Sequence, residues 1–586
     1  MDYDVAVTVV ILLLMLVVLA RELLSPPATV LGAVVLLLVL GVVTPEQAFA
    51  GFSNPAPITV AALYVLARAV EKTGALQPLV SATLGRAAPA RGALLRLVLP
   101  TAAASSFLNN TPIVAMLAPQ VSDWAERRGQ SPSRYLMPLS FAAILGGVVT
   151  TIGTSTNLVI SGLLEASGEA PLGMFEISGV GLPVALVGLA ALVLFAPMLL
   201  PDRRPARREL DEDFREFVVN MVVQERGLMD GRNVADAGLR HLQGVFLVEI
   251  ERKGDLIAPV TPTTVLRGGD RLTFVGKADL VVDLQAMRGL ALAEYAHTGG
   301  LDSARHTFFE AVVGGVSPLV GHTLKEISFR ARYQAAVVAI HRAGHRVKAK
   351  LGDVKLRVGD TLMILADSGF HGRYRDRNDF LLVSSLGGAP PVATGRAWIV
   401  FSVALGIVGG AALGLLPILH LSLLGALVLV ATGVLTPSEA RRSVDMSVII
   451  VIAAAFGLGA AMASSGLAAI VARSLVDGFG DLGPTGVLLG LVLATIVLLS
   501  FITNNAAAVL MFPIAASAAA SLDLDLRPFA IAIAVAASAS FLTPIAYQTN
   551  LMVYGPGGYR FSDYVRLGGV LTLIVIPAIL IVVRLG

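Results

Sequence analysis

Two short stretches set amides and hydroxyls into otherwise apolar sequence. Residues 105–116 read SSFLNNTPIVAM, with Asn109, Asn110 and Thr111 ahead of Pro112, and residues 499–511 read LSFITNNAAAVLM, with Thr503, Asn504 and Asn505. Two further patches lie downstream, Gly153-Thr154-Ser155-Thr156-Asn157 and Ala546-Tyr547-Gln548-Thr549-Asn550. Carboxamides and hydroxyls both donate and accept hydrogen bonds, so they can hold either a polar solute or a cation. None of the four patches contains Asp, Glu, His, Lys or Arg. Proton-coupled carriers normally need a titratable group in the membrane, whereas neutral oxygens suit Na+. With no cationic clamp, a substrate would be held by amides, hydroxyls and helix ends. That favours a small oxyanion without excluding a neutral polar solute.

These patches need elements that can place them. The chain has 586 residues, 55% of them hydrophobic and only 15% charged, against about 25% charged in an ordinary soluble domain. This is the composition of an α-helical polytopic membrane protein. Apolar runs predict spans near 5–24, 28–43, 54–71, 135–160 and 178–200, then near 396–413, 416–433, 446–463, 527–550 and 566–584. The N-terminal run lacks a basic leader and a small-residue cleavage site and reads as a first span. Between the third and fourth span of each block lies a longer stretch, 92–122 and 484–520, interrupted at its polar middle. Each reads as two half-helices forming a re-entrant hairpin. Backbone cannot break in lipid unless its freed groups find partners. Half-helix N-termini offer N–H donors to anions, and C-termini offer carbonyls to cations. A single Asn or Thr in such a helix is commonly packing glue; four patches in matched positions argue for a site.

The two membrane blocks repeat each other. GVVTPEQA (41–48) recurs as GVLTPSEA (433–440), SFLNNTPIVAMLAP (106–119) as SFITNNAAAVLMFP (500–513), and TTIGTSTNLVISG (150–162) as TPIAYQTNLMVYG (543–555). The offset stays between 392 and 394, as from Thr44 to Thr436 and from Asn110 to Asn504. Each block has an odd number of spans, so the second must be inverted. Inverted repeats with interrupted helices mark secondary transporters, with sites near the midplane. Hairpin tip plus broken helix then makes a cage, and two blocks make two cages facing each other. Under this span count Arg21, Arg68, Lys72, Arg127, Arg128, Arg134, Arg441 and Arg442 fall on one side, and little beyond Arg473, Arg527 and Arg584 on the other. The positive-inside rule makes the basic side cytoplasmic. The chain is then expected in the cell (inner) membrane, with both termini outside.

Residues 202–394 are charged, and their apolar residues alternate in short runs such as DRLTFVG, so this block reads as a soluble cytoplasmic insert. The expected organisation is a membrane repeat over 1–201, insert units over 202–290 and 291–394, and a membrane repeat over 395–586. The insert repeats at an offset of 90: VEIERKG (248–254) matches VAIHRAG (338–344) and RGGDRL (267–272) matches RVGDTL (357–362). The Gly-Asp pairs at 269–270 and 359–360 read as hairpin turns. Arg203, Arg204, Arg207 and Arg208 are expected to anchor the cytoplasmic edge at anionic headgroups. No GxGxxG fingerprint occurs within residues 202–394, so no organic cofactor is expected. A net charge of +3 gives no general attraction to nucleic acid. The absence of cysteine excludes disulfides and thiol chemistry. No nucleophile–base pair or metal cluster supports an enzyme.

On its polar tips and loops the sequence resembles the divalent anion/Na+ symporter family of the ion transporter superfamily, in its sulfate-permease-like branch. The insert units resemble TrkA-C (RCK-C) domains. The resemblance implies one Na+ site at Ser105, Asn109, Asn110, Gly153 and Asn157, and a second at Thr503, Asn504, Ala546 and Asn550. It places the anion among Asn110, Thr111, Thr154, Ser155, Asn504, Asn505, Tyr547 and Gln548. It further implies an elevator mechanism, a homodimer, and insert domains that sometimes bind a small effector. The family's Ser-Asn-Thr tips and Pro-Pro loops are altered here: Asn109 and Thr503 stand for Ser, Asn505 for Thr, and Ser155-Thr156 and Gln548-Thr549 for Pro-Pro. These changes suit a compact tetrahedral oxyanion, sulfate first, over a dicarboxylate or another sulfur-containing solute. An RCK-gated channel is the reading from another class, against which no TVGYG-like filter is present.

Overall fold

The computed structural model describes residues 3–21, 23–75, 90–203, 218–239, 245–252, 255–257, 260–276, 289–292, 306–314, 317–342, 345–347, 349, 351–367, 369–374, 379–385, 395–544 and 547–585. The chain divides into two compact units, Met1–Arg203 with Ala389–Gly586, and Arg204–Gly388.

The first half of the membrane unit runs α1 (Tyr3–Ala20), α2 (Pro26–Val39), α3 (Pro45–Ser53), α4 (Pro55–Thr73), α5 (Ala90–Ser105), α6 (Asn110–Arg127), α7 (Leu136–Gly147), α8 (Ser155–Ala166) and α9 (Ser178–Leu199). The expected span at 135–160 is thus two helices, α7 and α8, separated by residues 148–154. The expected hairpin at 92–122 is α5 and α6, which meet at residues 106–109. α3 was not expected. Its start is set by Thr44, whose hydroxyl accepts from the Gln47 N–H while the Gln47 side chain accepts from the Thr44 N–H. That capping box, with Pro45 at the first turn, starts a helix too short to cross a membrane.

The insert holds two five-stranded antiparallel sheets. The first, β1 (Val218–Val223), β2 (Val245–Arg252), β3 (Asp255–Ile257), β4 (Arg271–Gly276) and β5 (Leu290–Leu292), has the order β3-β2-β4-β1-β5. The second, β6 (His306–Val312), β7 (Ala335–Arg342), β8 (His345–Arg346), β9 (Thr361–Asp367) and β10 (Leu382–Ser385), has the order β10-β6-β9-β7-β8, which is the same topology read from the other edge. Even the bulges correspond, at Leu247/Glu249 and Val337/Ala339. Alternation puts Met221, Ile250, Leu272 and Phe274 into one core and Phe309, Ile340, Leu362 and Ile364 into the other. Two short helices, α10 (Phe329–Tyr333) and α11 (Phe370–Tyr374), add aromatic rings to the second core.

The Gly-Asp pairs are not hairpin turns. Gly269 and Gly359 have φ of +84° and +82°, and each lies in the turn that leads into a central strand, β4 or β9. The Asp does more than turn the chain. Asp270 takes two bonds from the Arg252 guanidinium at 2.8 and 2.7 Å and one from the Arg267 N–H at 2.7 Å. Asp360 repeats this with Arg342 at 2.7 Å twice and the Arg357 N–H at 2.8 Å. Both carboxylates are fully buried, so each turn is pinned by a forked ion pair to the neighbouring strand.

The second half of the membrane unit repeats the first element by element: α12 (Ala397–Ala412), α13 (Ile418–Ala431), α14 (Pro437–Ser443), α15 (Met446–Ser464), α16 (Leu467–Phe479), α17 (Gly483–Leu499), α18 (Asn504–Ser521), α19 (Leu526–Ser538), α20 (Gln548–Tyr554) and α21 (Phe561–Leu585). α14 carries the same capping box, between Thr436 and Glu439. α16 was not expected, and its counterpart in the first half, residues 76–89, lies outside the described residues. Among the described residues several helices are long and apolar enough to cross a membrane, Ser178–Leu199, Met446–Ser464 and Phe561–Val583 among them. The halves interlock reciprocally. α4 packs on α13 and α15 on α2; α8 packs on α18 and α20 on α6; α9 lies against α21. Each half therefore buries its apolar faces largely against the other.

Arg203 corrects the headgroup expectation. Its guanidinium pairs with the fully buried Asp563 at 2.8 Å, and its N–H donates to the Ser133 hydroxyl at 3.1 Å. It is spent on α21 rather than on lipid. Arg204, Arg207 and Arg208 lie outside the described residues.

Candidate functional site

Four helices begin at the polar patches: α6 at Asn110, α18 at Asn504, α8 at Ser155 and α20 at Gln548. The residues just ahead, Asn109, Thr503, Thr154 and Tyr547, are their N-caps. Thr503, Thr154 and Tyr547 make no side-chain cap bond. Asn109 makes a long one of 3.4 Å to the Thr111 N–H. Apart from the N–H groups of Thr111, Asn505 and Asn550, which find acceptors within the chain, first-turn N–H groups are thus left for another acceptor, at the positive end of the helix dipole.

Side chains tie these starts together across the halves. Asn110, 1% exposed, accepts from the Ser105 hydroxyl at 2.5 Å and donates to the Tyr547 hydroxyl at 2.6 Å. Tyr547 also lies 3.4 Å from the Thr154 hydroxyl. The Thr111 hydroxyl donates to Gln548 Oε1 at 3.3 Å. Its reciprocal is Ser155, whose hydroxyl donates to Asn505 Oδ1 at 3.1 Å, joined there by Thr156 at 3.3 Å. Asn504 donates to the Thr156 hydroxyl at 2.8 Å, and its own oxygen accepts from the Asn505 N–H at 3.0 Å. Every carboxamide oxygen in this set is therefore occupied by a protein donor. The Asn505 and Gln548 NH2 groups make no hydrogen bond among the described residues, and Asn110 and Asn504 each use one N–H of two. Thr111, Ser155 and Gln548 are only half-buried, so the network is within reach of a solute.

Each first-half tip also meets its own break. A Cβ on Gly147 would lie 2.5 Å from Asn110 Oδ1, and one on Gly153 would lie 2.5 Å from the Gly147 carbonyl. The Thr150 hydroxyl donates to the Ser106 carbonyl. Ser105, Asn110 and Gly153 thus lie around Gly147, with Asn109 next to Asn110 in the chain. Ala546 lies outside the described residues.

Asn157 and Asn550 have a role that the sequence did not reveal. The Asn157 amide donates to the Gly147 and Thr150 carbonyls at 3.1 and 2.9 Å. The Asn550 amide donates to Ser540 and Thr543 at 2.7 and 3.2 Å. Each reaches back ten and seven residues to carbonyls freed by the helix break, which settles the groups that the break orphans. Their oxygens differ. Asn550 Oδ1 accepts from the Ser140 hydroxyl at 2.7 Å, whereas Asn157 Oδ1 is buried without a hydrogen-bond partner. In the second half the buried unpartnered atoms among the described residues are Thr503 Oγ1 at the tip, Ser540 Oγ at the break, and Thr572 Oγ1 on α21. Neutral buried oxygens of this kind fit a hard monovalent cation, which can satisfy a lone pair that no protein donor reaches. Among the described residues no cluster of three or more His, Asp or Glu offers an alternative metal site. Ser140 and Ser540 lie in apolar runs, Ser540 two residues after Ser538, and only the break itself, once located, would have pointed to them.

This is the architecture of a polytopic membrane transporter: paired polar helix starts, buried and bridged across two repeated halves. The chain belongs to the citrate transporter family, whose profile matches residues 14–536 and 482–585. It is 35% identical over 92% of its length to a putative sulfur deprivation response regulator of Chlamydomonas reinhardtii, covering 94% of that protein. It is 34% identical over its full length to an uncharacterized transporter of Synechocystis, covering 97% of that protein. Sodium/sulfate cotransporter 1 of Chlamydomonas reinhardtii is 26% identical over 90% of the chain and 83% of its own length.

Proposed function

We propose that the chain is a Na+-coupled symporter of a small divalent oxyanion, with sulfate the first candidate. The observation that carries this is the polarity of the network. Its carboxamide oxygens are filled from within, and its NH2 groups and uncapped helix starts remain as donors. A site built of donors without a fixed cation suits an anion whose charge is spread over several oxygens. Na+ would be held by Asn157 Oδ1 with Ser105, Asn109, Asn110 and Gly153 in the first half, and by Thr503, Asn504, Ala546 and Asn550, with Ser540 added, in the second. The anion would lie among Asn110, Thr111, Thr154, Ser155, Asn504, Asn505, Tyr547 and Gln548. Coupling follows from the shared residues: Asn110 and Asn504 serve both ligands, so a bound cation fixes the amide that the anion needs.

The odd number of spans in each repeat supports an inverted pair, and the reciprocal packing of tips and breaks is what such a pair requires. Tips and breaks are hydrogen-bonded into one body, which supports movement of that body as an elevator. A homodimeric scaffold, the cell (inner) membrane, a cytoplasmic TrkA-C-like insert with a small effector, and outward termini complete the reading. The relatives' names lend weight to sulfate and sodium. A di- or tricarboxylate such as succinate or citrate is the second reading, favoured by the family's name.

The test is uptake of labelled sulfate into proteoliposomes, with succinate and citrate in parallel. The reading expects sulfate uptake driven by an imposed inward Na+ gradient and lost when Asn110→Ala or Asn504→Ala is introduced. Sulfate uptake indifferent to Na+ removes the coupling. Carboxylate uptake without sulfate uptake replaces the substrate.

A further inference from the structure

We propose that Tyr547 is the size filter of the anion site: its ring confines the site to compact oxyanions and keeps carboxylates with a carbon spacer out. This rests on the oxyanion reading above.

The argument begins with the repeat. Tyr547 occupies in the second break the position that Thr154 holds in the first, each being the N-cap of the helix that follows. The two hydroxyls lie 3.4 Å apart. Positions equivalent by repeat that touch one another must sit where the two halves meet, so Tyr547 stands at the centre of the network. The reciprocal pairs Thr111–Gln548 and Ser155–Asn505 involve Gln548 and Ser155, the residues that follow Tyr547 and Thr154. At this centre one half supplies a threonine and the other a tyrosine. The ring is 7% exposed and reaches the opposite tip, where its hydroxyl accepts from Asn110 at 2.6 Å.

Two consequences follow. First, the ring takes space that a threonine pair would leave open. Sulfate carries its charge on one tetrahedral centre, whereas succinate carries it on two carboxylates held apart by carbons. A bulky, stiff side chain at the meeting point penalises the longer anion by overlap, which excludes competitors more sharply than weaker attraction would. Second, the Tyr547 hydroxyl accepts from Asn110, so its own proton has only the 3.4 Å contact with Thr154. It can be turned to an anion oxygen, adding a donor beside Asn110 and Thr154.

Uptake of sulfate and succinate by wild type, Tyr547→Thr and Tyr547→Phe in proteoliposomes under a Na+ gradient tests this. Tyr547→Thr restores the residue of the other half. It is expected to gain succinate uptake about tenfold over wild type, with sulfate KM raised. Tyr547→Phe keeps the ring and loses the donor. Its sulfate KM is expected to rise about tenfold, as for loss of one hydrogen bond to a charged group, with succinate still excluded. Succinate uptake by Tyr547→Phe overturns the filter, as does a Tyr547→Thr protein that moves sulfate like wild type and no succinate. If Tyr547→Thr does not fold, Tyr547→Phe decides by the same two readouts. Wild type that carries both anions overturns the filter and leaves the oxyanion reading standing; wild type that carries no sulfate removes both.

Discussion

Replacing Asn550 by alanine separates a structural clamp from a binding group. The Asn550 amide closes the second helix break with bonds of 2.7 and 3.2 Å to the Ser540 and Thr543 carbonyls, and its oxygen receives Ser140 at 2.7 Å. The residue is fully buried. In Asn550→Ala two carbonyls lose their donor. The Ser140 hydroxyl has a second acceptor, the Thr549 hydroxyl at 2.9 Å, so that loss is partly made good. Side-chain hydrogen bonds between membrane helices average about 0.6 kcal/mol, which sets a floor of about 1 kcal/mol for the two lost bonds. Leaving buried carbonyls unsatisfied adds about 1–3 kcal/mol each, so the expected loss is about 3 kcal/mol. Asn157→Ala removes the same two kinds of bond but no accepted one, because Asn157 Oδ1 has no partner. It should cost less, by about 1 kcal/mol. The assay is the unfolding midpoint in mixed micelles titrated with a denaturing detergent, on both variants and on Asn110→Ala. The reasoning fails if Asn550→Ala unfolds with wild type, or if Asn157→Ala is the more damaging of the two.

Three further outcomes are expected. Gly147→Ala places a methyl 2.5 Å from Asn110 Oδ1; the flexible amide gives way, so the protein stays folded in the same assay while sulfate uptake falls at least about tenfold, the worth of one charge-assisted hydrogen bond. Arg342→Ala strands the buried Asp360 and should cost the second insert sheet about 3–5 kcal/mol, read as faster proteolysis between residues 306 and 385 in the intact protein; the paired Arg342→Met, Asp360→Leu variant should recover most of that. Glu439 is held down to about 2, first by the Lys72 ammonium and then by the Thr436 N–H. Because this carboxyl is depressed from 4.5, its contribution is complete above that pH and is lost as pH falls toward 2. Both partners are about a third exposed, so solvent screening keeps the effect below about 1 kcal/mol, and Lys72→Met should flatten the acid limb of a thermal-stability profile by that much.

The breaks and tips were legible because they repeat. One odd NNTP in an apolar run could be packing glue; its counterpart at the same offset could not be dismissed that way, and α5–α6 and α17–α18 lie where the interruptions placed them. The short helices α3 and α14 were missed although their signal was present. TPEQ and TPSE are capping boxes with proline at the first turn, and such a box starts a helix whether or not an apolar run follows. The family resemblance implies Asn157 and Asn550 as cation ligands. Their clamp depends on how the chain bends back over ten residues, which no local pattern encodes. The Arg252–Asp270 and Arg342–Asp360 forks were hidden for a related reason. Glycine before aspartate announces a turn, but the arginine that buries the carboxylate comes from a strand 18 residues earlier.

The divergence of the two halves is what turns their symmetry into a site. In the reciprocal contacts Thr111–Gln548 and Ser155–Asn505, the first half always supplies the hydroxyl and the second the carboxamide. A hydroxyl brings one proton, and here it is given to the amide oxygen. The acceptor side of the amide is thereby closed, and both N–H bonds of each NH2 remain open. Had both halves kept hydroxyls, each pair would spend a donor on its partner and leave one hydroxyl proton. Had both kept carboxamides, amide would have bonded amide and consumed N–H groups in doing so. Only the mixed pairing leaves four N–H bonds, those of Asn505 and Gln548, without an acceptor among the described residues. Restoring symmetry by Gln548→Ser together with Asn505→Thr would rebuild the first half's chemistry in the second. It would remove those donors and, because serine and threonine reach less far than the glutamine and asparagine they replace, open both contacts, so anion affinity should fall steeply.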